Sequence, residues 1–528
     1  MPRPRLSRRS FLNLVGRAGG SAAVYQTMAA MGLLGVPATY AGPPSLPRGL
    51  GAGRHVVILG AGIAGLTAAL ELVRAGFGCT ILETRERAGG RSWTLRRGDL
   101  VREADSRQRC GFEAGAELYA NMGPARIPQH HQALLRYCRE LGVALQPMVN
   151  DNRNAYLQSD KAFGGRRVRA REFIGASRGY IAELLAKAVS GHALDETLTP
   201  EDQKSFLAML RNFGALDREY RFTRSSRLGY SETPGAGERP GVRMQPLERA
   251  ELLKPVFAYF QLNWAEQIDF APTMLQPVGG MDRIAAAFEK RLHGMIRYGA
   301  EVREIRRERE GVRILYRDRR GGALRSIAGD YCLCTIPLPV LAGIPADVSP
   351  EVRAAIAAPD YAKVVKIAFQ ANRRFWEEDD QIYGGISWTE QDITQLWYPS
   401  TGFHERKGVL LGAYIWSEDI AERVGALAPA ERLALAIQNG ERLHERYAEP
   451  LAHGISVAWH KLPENLGAWV DWSPETRKSA YETLCRPDGP IHLAGEHLSY
   501  VTGWQEGAVL SAQAAVTAIA ERVRSRRA

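Results

Sequence analysis

The sequence predicts a mixed α/β fold built around a parallel sheet, and two observations near its beginning carry the prediction. Residues 56–59 are an unbroken apolar run, typical of a strand that is buried on both faces. Apolar residues then recur at helical spacing from Ile63 to Val73, and residues 79–82 are interpreted as the next parallel strand. The order strand, helix, strand is typical of parallel sheets that are covered by helices.

Three glycines, Gly60, Gly62 and Gly65, join the first strand to the helix in the spacing G-x-G-x-x-G. Glycine permits a tight turn there and lets backbone N–H groups approach a pyrophosphate at the helix N-terminus. Glu83 ends the second strand, 23 residues after Gly60, and an acid at that place can bind a ribose hydroxyl pair. The segment therefore predicts a Rossmann-like dinucleotide site, with NAD and FAD both left open.

Length and composition limit the classes of protein to which the chain can belong. The chain has 528 residues, 45% of them hydrophobic and 24% charged, so it is long enough for two or three domains. Its net charge is +11, but no basic stripe with interleaved aromatic residues is present, which argues against nucleic-acid binding. The six cysteines are sparse and complete no zinc-ligand set, so we expect buried thiols and no metal site, with a disulfide left open.

The first 38 residues contain paired arginines, Arg8 and Arg9, followed by a modestly apolar stretch rich in glycine and alanine. This arrangement resembles a twin-arginine export signal, and the alternative is a basic disordered leader. Arg17 and several glycines make the stretch a poor transmembrane helix, and no later stretch predicts stable membrane insertion. We therefore expect a periplasmic or secreted protein, with a linker over residues 39–54.

Residues 87–91 read R-A-G-G-R and follow the acidic end of the second strand. The chain resembles the flavin amine oxidases, whose members carry an R-x-G-G-R element at this place, and the resemblance implies FAD as the cofactor. G-P-A-R at residues 123–126 is similar to an element of the L-amino-acid oxidase branch of that family. Two elements near the end of the chain also match the family: A-G-E at residues 494–496 and G-W-Q-E-G-A at residues 503–508.

The resemblance implies cofactor-binding residues that are spread over the whole chain. They are Gly60, Gly62, Ala64, Gly65, Glu83, Thr84, Gly90, Arg91, Gly123, Pro124, Ala125, Arg126, Val302, Gly495, Glu496, Gly503, Trp504, Gln505 and Ala508. The helix that begins near Trp504 would direct its positive end at the flavin, where it stabilises negative charge.

The same resemblance implies residues that bind the substrate. Arg126 would bind a carboxylate, because a guanidinium can donate two parallel charge-assisted hydrogen bonds, and the Tyr398 hydroxyl would donate another. Trp469 and Trp504 would form the two walls of an aromatic cage. The Gly503 carbonyl would accept a hydrogen bond from the substrate amine.

One lysine of the predicted strand over residues 363–369 would take part in the reaction. Lys366 occupies the position of the family lysine that holds a water against the flavin, and Lys363 is the competing candidate. Some relatives place a histidine of the helical subdomain above the substrate. We assign none here, because His192 is expected to be a surface residue.

The predicted domains are discontinuous. An FAD-binding domain is assembled from three segments, a substrate domain with a mixed sheet from two, and a helical subdomain from one. The FAD-binding segments are residues 55–130, 276–345 and 456–528, the substrate segments are 241–275 and 346–455, and the helical subdomain is 131–240.

The implied activity is FAD-dependent oxidative deamination of L-α-amino acids to 2-oxo acids, with release of ammonia and H2O2. The partners would then be an amino acid and O2, and a homodimer is left open. Three alternatives remain: an L-amino-acid 2-monooxygenase of the tryptophan or phenylalanine type, a monoamine or nicotine-type flavin oxidase, and a flavin-bound protein without turnover.

Overall fold

The computed structural model describes residues 40–525, and the part from Pro44 onwards is one compact unit. The predicted export signal, residues 1–38, lies outside the described residues. Within residues 40–525 there is no helix that is both long and apolar enough to span a membrane.

A five-stranded parallel sheet contains the predicted strand–helix–strand unit. Residues 56–59 pair in register with residues 79–82 on one side and with residues 331–334 on the other. In spatial order the strands are Ile296–Arg297, Gly78–Leu82, His55–Leu59, Tyr331–Cys334 and Ile491–Leu493. Three segments that are distant in sequence therefore form one sheet, which confirms the α/β fold class.

Two long helices pack next to the glycine turn of this parallel sheet. Ile63–Arg74 begins directly after Gly62, and its residues 63–72 are all buried. Gln505–Ser525, the long helix predicted near the C-terminus, packs against it. Both helices thus begin close to the edge of the sheet at which the parallel strands end.

A second, seven-stranded mixed sheet forms most of the remaining core. Its neighbouring strands are antiparallel except Tyr156–Gln158 and Gly385–Thr389, which are parallel. In spatial order the strands are Arg167–Arg169, Tyr156–Gln158, Gly385–Thr389, Gln395–Tyr398, Gly408–Ile415, Val365–Ala371 and Leu451–Ala458. The strand Val365–Ala371, which carries Lys366, is buried along its whole length.

The helical segment is shorter than predicted at its N-terminal side. Its two main helices are Ala170–Ser190 and Pro200–Gly214, both within the predicted segment 131–240. The predicted start at residue 131 is wrong, because Tyr156–Gln158 and Arg167–Arg169 are strands of the mixed sheet. These strands have only three residues each, too few to show an alternating pattern.

Small sheets and short helices complete the described part. The other antiparallel groups are Ala300–Glu308 with Gly311–Asp318 and Leu324–Gly329; Ile127–Pro128 with Met274–Pro277 and Leu145–Met148; Tyr230–Glu232 with Val242–Arg243; Asp360–Tyr361 with Val470–Asp471; Thr94–Leu95 with Ala120–Asn121; and Leu100–Arg102 with Arg107–Arg109. The other α-helices are Gln132–Glu140, Arg249–Leu252, Asp282–Arg291, Leu338–Ala342, Pro350–Ala357, Phe375–Glu378, Glu418–Ala426, Pro429–Gly440, Pro474–Thr476 and Glu482–Cys485.

All six cysteines are free. Cys110, Cys138, Cys332 and Cys334 are buried, as expected, whereas Cys79 is partly exposed and Cys485 is exposed. Cys332 and Cys334 lie two residues apart in one strand, and both belong to the same hydrophobic core.

Gly65 allows the helix Ile63–Arg74 to pack directly on the turn before it. A Cβ at this position would lie 2.1 Å from the carbonyl oxygen of Gly60. Because that backbone is held in the turn, we expect Gly65→Ala to destabilise the fold by about 3 kcal/mol, the upper end of overpacking costs, as measured by thermal unfolding. Gly321→Ala is the control, since its Cβ would meet nothing within 4 Å. Equal melting temperatures for the two variants would contradict the close packing.

Candidate active site

A cavity of about 340 Å³, partly open to solvent, runs along the carboxyl edge of the parallel sheet. Its wall includes residues that lie just beyond the ends of four strands, namely Gly60, Glu83, Thr335 and Gly495. Open parallel sheets bind their ligands at this edge. The strand order thus places the cavity where the glycine motif predicts a dinucleotide.

The cavity brings together most of the predicted site residues. Its wall contains Gly60, Gly62, Ala64, Glu83, Thr84, Gly90, Arg91, Gly123, Pro124, Val302, Lys366, Trp469, Gly495, Glu496, Gly503, Trp504, Gln505 and Ala508. Four predicted residues do not line it. Gly65 packs on the turn, Ala125 packs against the hydrophobic core, and Arg126 and Tyr398 have the separate surroundings described below.

The glycine turn can accept an anion. Gly62 is the N-cap residue of the helix Ile63–Arg74, which has no side-chain cap and no acid in its first turn. A Cβ on Gly62 would meet nothing within 4 Å, so the backbone faces open space. Glu83 holds the turn, since its carboxylate accepts hydrogen bonds from the Ala61 N–H at 2.8 Å and the Arg85 N–H at 2.9 Å. These features fit a pyrophosphate and an adjacent ribose.

The opposite end of the cavity has polar groups that can bind a ligand. Gln505 begins the C-terminal helix; its amide donates to Ser92 Oγ at 2.5 Å, while its buried Oε1 has no partner. Nearby, Arg91 donates to the Glu496 carboxylate at 2.7 Å, and the Gly503 N–H donates to the same carboxylate at 2.9 Å. A planar heterocycle with donor and acceptor edges fits this lining, so both ends of the cavity suit FAD.

Lys366 is the buried lysine that the resemblance predicts. Its Nζ donates to the Gly123 carbonyl oxygen at 2.6 Å and lies 4.4 Å from the centre of the Tyr414 ring. Burial, and then the charge of Arg126, lower the pKa of Lys366 to about 7. Lys363, the competing candidate, is a partly exposed residue that pairs with Glu422 at 3.0 Å. The geometry therefore favours Lys366.

Arg126 is a buried cation enclosed by aromatic rings. Its guanidinium carbon lies 4.7–5.8 Å from the ring centres of Trp264, Phe270, Trp397 and Trp504. Its one hydrogen bond to a described side chain goes from Nη1 to the Asn150 amide oxygen at 2.7 Å. Among residues 40–525 no carboxylate lies within 4.0 Å of it. Burial lowers the pKa of Arg126 to about 10.

Tyr398 does not lie beside Arg126, so the predicted contact of its hydroxyl with the substrate is wrong. The hydroxyl oxygen lies 2.7 Å from Ser387 Oγ and 2.7 Å from His444 Nε2, within a separate hydrophobic core. Successive side chains of a strand point to opposite faces of a sheet. Trp397, the preceding residue, consequently takes the place beside Arg126.

The predicted cage residues lie together at the cavity. Gly503 has a φ of 78°, a value that favours glycine, and a Cβ there would lie 3.5 Å from the Trp469 ring. Trp504 packs edge-on against the His131 ring, with their centres 5.0 Å apart. Burial lowers the pKa of His131 to about 3. His192 is an exposed residue next to Asp195, as expected.

Several residues of the site have no sequence signal. Tyr414 faces Lys366 because the two are register partners on adjacent strands, and Trp397 shares its face of the mixed sheet. Trp264 and Phe270 stack with ring centres 3.8 Å apart and reach Arg126 from a segment of irregular structure. Only strand register and tertiary packing bring them together, and neither can be read from one sequence.

Comparison with known proteins gives a consistent result. The family model described as flavin containing amine oxidoreductase matches residues 63–520. An L-amino-acid oxidase of Siganus canaliculatus is 28% identical over 485 residues, covering 88% of this chain and 85% of that protein. A flavin-dependent L-tryptophan oxidase of Lentzea aerocolonigenes is 28% identical over 492 residues, covering 88% and 98%.

Solved structures support the fold. A cyclohexylamine oxidase of Brevibacterium oxydans superimposes with a TM-score of 0.60 at 18% identity, covering 89% of this chain and 99% of that one. A putrescine oxidase bound to putrescine gives a TM-score of 0.58 at 19% identity, covering 88% and 98%. At these identities the likeness concerns the fold alone.

The pKa of Lys366 predicts how activity depends on pH. Below about pH 7 the amine is protonated and adds a second positive charge next to Arg126, which opposes the binding of a cationic amine. We expect kcat/KM to rise through an apparent pKa near 7 in the wild type and to lose this step in Lys366→Met. Tyr414, the other titratable group at this amine, has a raised pKa and stays neutral in this range.

Lys363→Met is the matched control, since it removes a lysine of the same segment that pairs at the surface. Its pH profile should equal that of the wild type. A step that persists in Lys366→Met would show that another group titrates.

Proposed function

We propose that this chain, which belongs to the flavin-containing amine oxidoreductase family, oxidises L-α-amino acids to 2-oxo acids. The reaction would release ammonia and H2O2. In this reaction Cα loses its hydrogen with two electrons, and the amine loses a proton. Water hydrolyses the resulting imino acid, and O2 is reduced to H2O2. FAD, when bound, supplies the electron acceptor between substrate and O2.

The proposal rests on one observation: Arg126 is buried, and no carboxylate among the described residues pairs with it. Asp269 acts on this charge only at longer range, and burying a charge without a paired carboxylate is costly, so a site of this kind gains stability when an anion binds. A simple amine has no anionic group, whereas every amino acid has a carboxylate. Trp504 links the two parts of the site, because it lies 5.8 Å from the Arg126 guanidinium and also lines the cavity.

The remaining groups fit the other half of an amino acid. With the carboxylate at Arg126, the amine would lie between Trp469 and Trp504, where the Gly503 carbonyl can accept its hydrogen bond. The Lys366 amine, neutral above about pH 7, can orient a water at the reacting carbon without repelling the substrate. The side chain would contact the rings of Trp264 and Phe270, which favours large apolar or aromatic substrates.

The comparisons support this choice without deciding it. Two relatives with 28% identity are named as an L-amino-acid oxidase and an L-tryptophan oxidase. The solved structures with the same fold are named as oxidases of putrescine and cyclohexylamine. Oxidation of a simple amine, and oxygenation of an amino acid to an amide, are therefore the outcomes that a test has to separate.

Arg126→Met tests the proposed carboxylate contact. We expect kcat/KM for L-phenylalanine to fall at least about 100-fold, because a charge-assisted pair is worth roughly 3 kcal/mol. The value for phenethylamine, which lacks the carboxylate, should change little. Stopped-flow reduction of the flavin without O2 measures both, and product analysis distinguishes a 2-oxo acid from an amide.

Arg221→Met is the control, since Arg221 is an exposed arginine of the helical segment. It should leave both substrates unaffected. Equal losses for L-phenylalanine and phenethylamine in Arg126→Met would contradict carboxylate recognition, as would a wild type that prefers the amine.

We also propose that residues 1–38 direct twin-arginine export. The proposal rests on Arg8 and Arg9 and on the modestly apolar stretch after them. In a bacterial host with that pathway, changing both to lysine should retain the flavoprotein in the cytoplasm, as cell fractionation measures. The double change of Arg3 and Arg5 to lysine is the control. Equal export of the two variants would contradict the role of the pair.

A further inference from the structure

Two histidines and an aspartate meet outside the cavity, on the other side of Trp504. His130 and His131 lie between the strand Ile127–Pro128 and the helix Gln132–Glu140. Asp269 precedes the strand Met274–Pro277, which pairs with Ile127–Pro128. The strand pairing therefore brings the three side chains together, although His131 and Asp269 are 138 positions apart in the sequence.

The three side chains converge on one point. One ligand atom of each lies within 4.8 Å of the other two, and His130 Nε2 is 3.0 Å from Asp269 Oδ1. His131 is only 1% exposed, and its Nε2 has no hydrogen-bond partner. An unpartnered nitrogen atom in a buried position is costly, so His131 Nε2 indicates a missing ligand.

We propose that His130, His131 and Asp269 bind a divalent transition-metal ion of the Zn²⁺ class. Two imidazoles and one carboxylate are a ligand set that such ions prefer, and a water can take the fourth position. Ligand atoms on a tetrahedral zinc are about 3.3 Å apart, so atoms that now lie up to 4.8 Å apart would have to approach by as much as about 1.5 Å. The sequence analysis predicted no metal site, because adjacent histidines and a distant aspartate match no metal-binding motif.

The surroundings suit a cation. His130 and Asp269 have side-chain exposures of 34% and 43%, so an ion can enter from solvent. Glu506 lines a second cavity together with these three residues and adds negative charge. Its two carboxylate oxygens already accept from the N–H groups of Ala133 and Leu134, at 2.9 and 2.7 Å, so it would act as a neighbouring charge and not as a ligand.

A bound ion would connect two walls of the substrate site. His131 packs on Trp504, and Phe270 directly follows Asp269 and lies 6.1 Å from the same tryptophan ring. An ion held by His131 and Asp269 would therefore fix the position of both rings relative to each other. The site is thus a positioning device at the edge of the cavity and is separate from the residues that contact the cofactor.

Titration of the purified holoenzyme with Co²⁺, without an affinity tag, tests the proposal. We expect one Co²⁺ per chain, visible absorption bands typical of a four-coordinate ion, and displacement of Co²⁺ by Zn²⁺. Asp269→Asn and His131→Gln should each weaken binding at least about tenfold, because each removes one of three protein ligands. Zn²⁺ should raise the melting temperature of the wild type and not of these variants.

His192→Ala is the matched control. His192 forms the same kind of pair with Asp195, at 3.1 Å, but is exposed and has no third ligand. It should bind Co²⁺ like the wild type. Absence of stoichiometric binding to the wild type, or undiminished binding in Asp269→Asn, would overturn the proposal. If circular dichroism shows that His131→Gln does not fold, Co²⁺ binding by Asp269→Asn alone decides the test.

Discussion

The ion pair between Arg91 and Glu496 joins the parts of the chain on which the site depends. The two residues are 405 positions apart, and their side chains meet at 2.7 Å. Arg91 also donates to the Ala468 carbonyl oxygen, next to Trp469, and Glu496 accepts from the Gly503 N–H. One charge pair therefore fixes three stretches that line the cavity. The Arg91 side chain is 23% exposed, so loss of its carboxylate would leave a largely enclosed charge unpaired, and the pair therefore couples the positions of these stretches.

A second constraint is the accumulation of positive charge near the reacting end of the cavity. Arg126 and Lys366 both lie within 6 Å of the Trp397 ring centre, at 4.7 and 5.8 Å, and neither has a carboxylate partner among the described residues. The lysine reduces the repulsion by losing its proton near pH 7. The arginine keeps its proton, because its pKa of about 10 is still well above neutral pH. What remains is one buried positive charge, for which a substrate carboxylate is the complementary group.

The sequence was sufficient for the local nucleotide motif and for side chains such as Lys366, but it failed at Tyr398, where one step of strand register decides the direction of the side chain. Gly60, Gly62 and Glu83 could be placed because the motif is local and its spacing follows from the turn geometry. Tyr398 could not be placed, since one step of strand register decides whether it or Trp397 faces Arg126. The prediction for the start of the helical segment failed for a related reason. A strand of three residues is too short to be recognised from its own sequence, because its conformation depends on the strands with which it pairs.

If Arg126 binds the substrate as proposed, its enclosure separates substrate choice from cofactor binding. Its four rings come from distant places: Trp264 and Phe270 precede the strand Met274–Pro277, Trp397 lies in the mixed sheet, and Trp504 precedes the C-terminal helix. None of the first three lines the cofactor cavity, whereas Trp504 does. Substitutions at those three positions can therefore alter the space for a substrate side chain without touching the residues that fit FAD. A change at Trp504 would alter both, so this ring is the point at which selectivity and cofactor geometry are coupled.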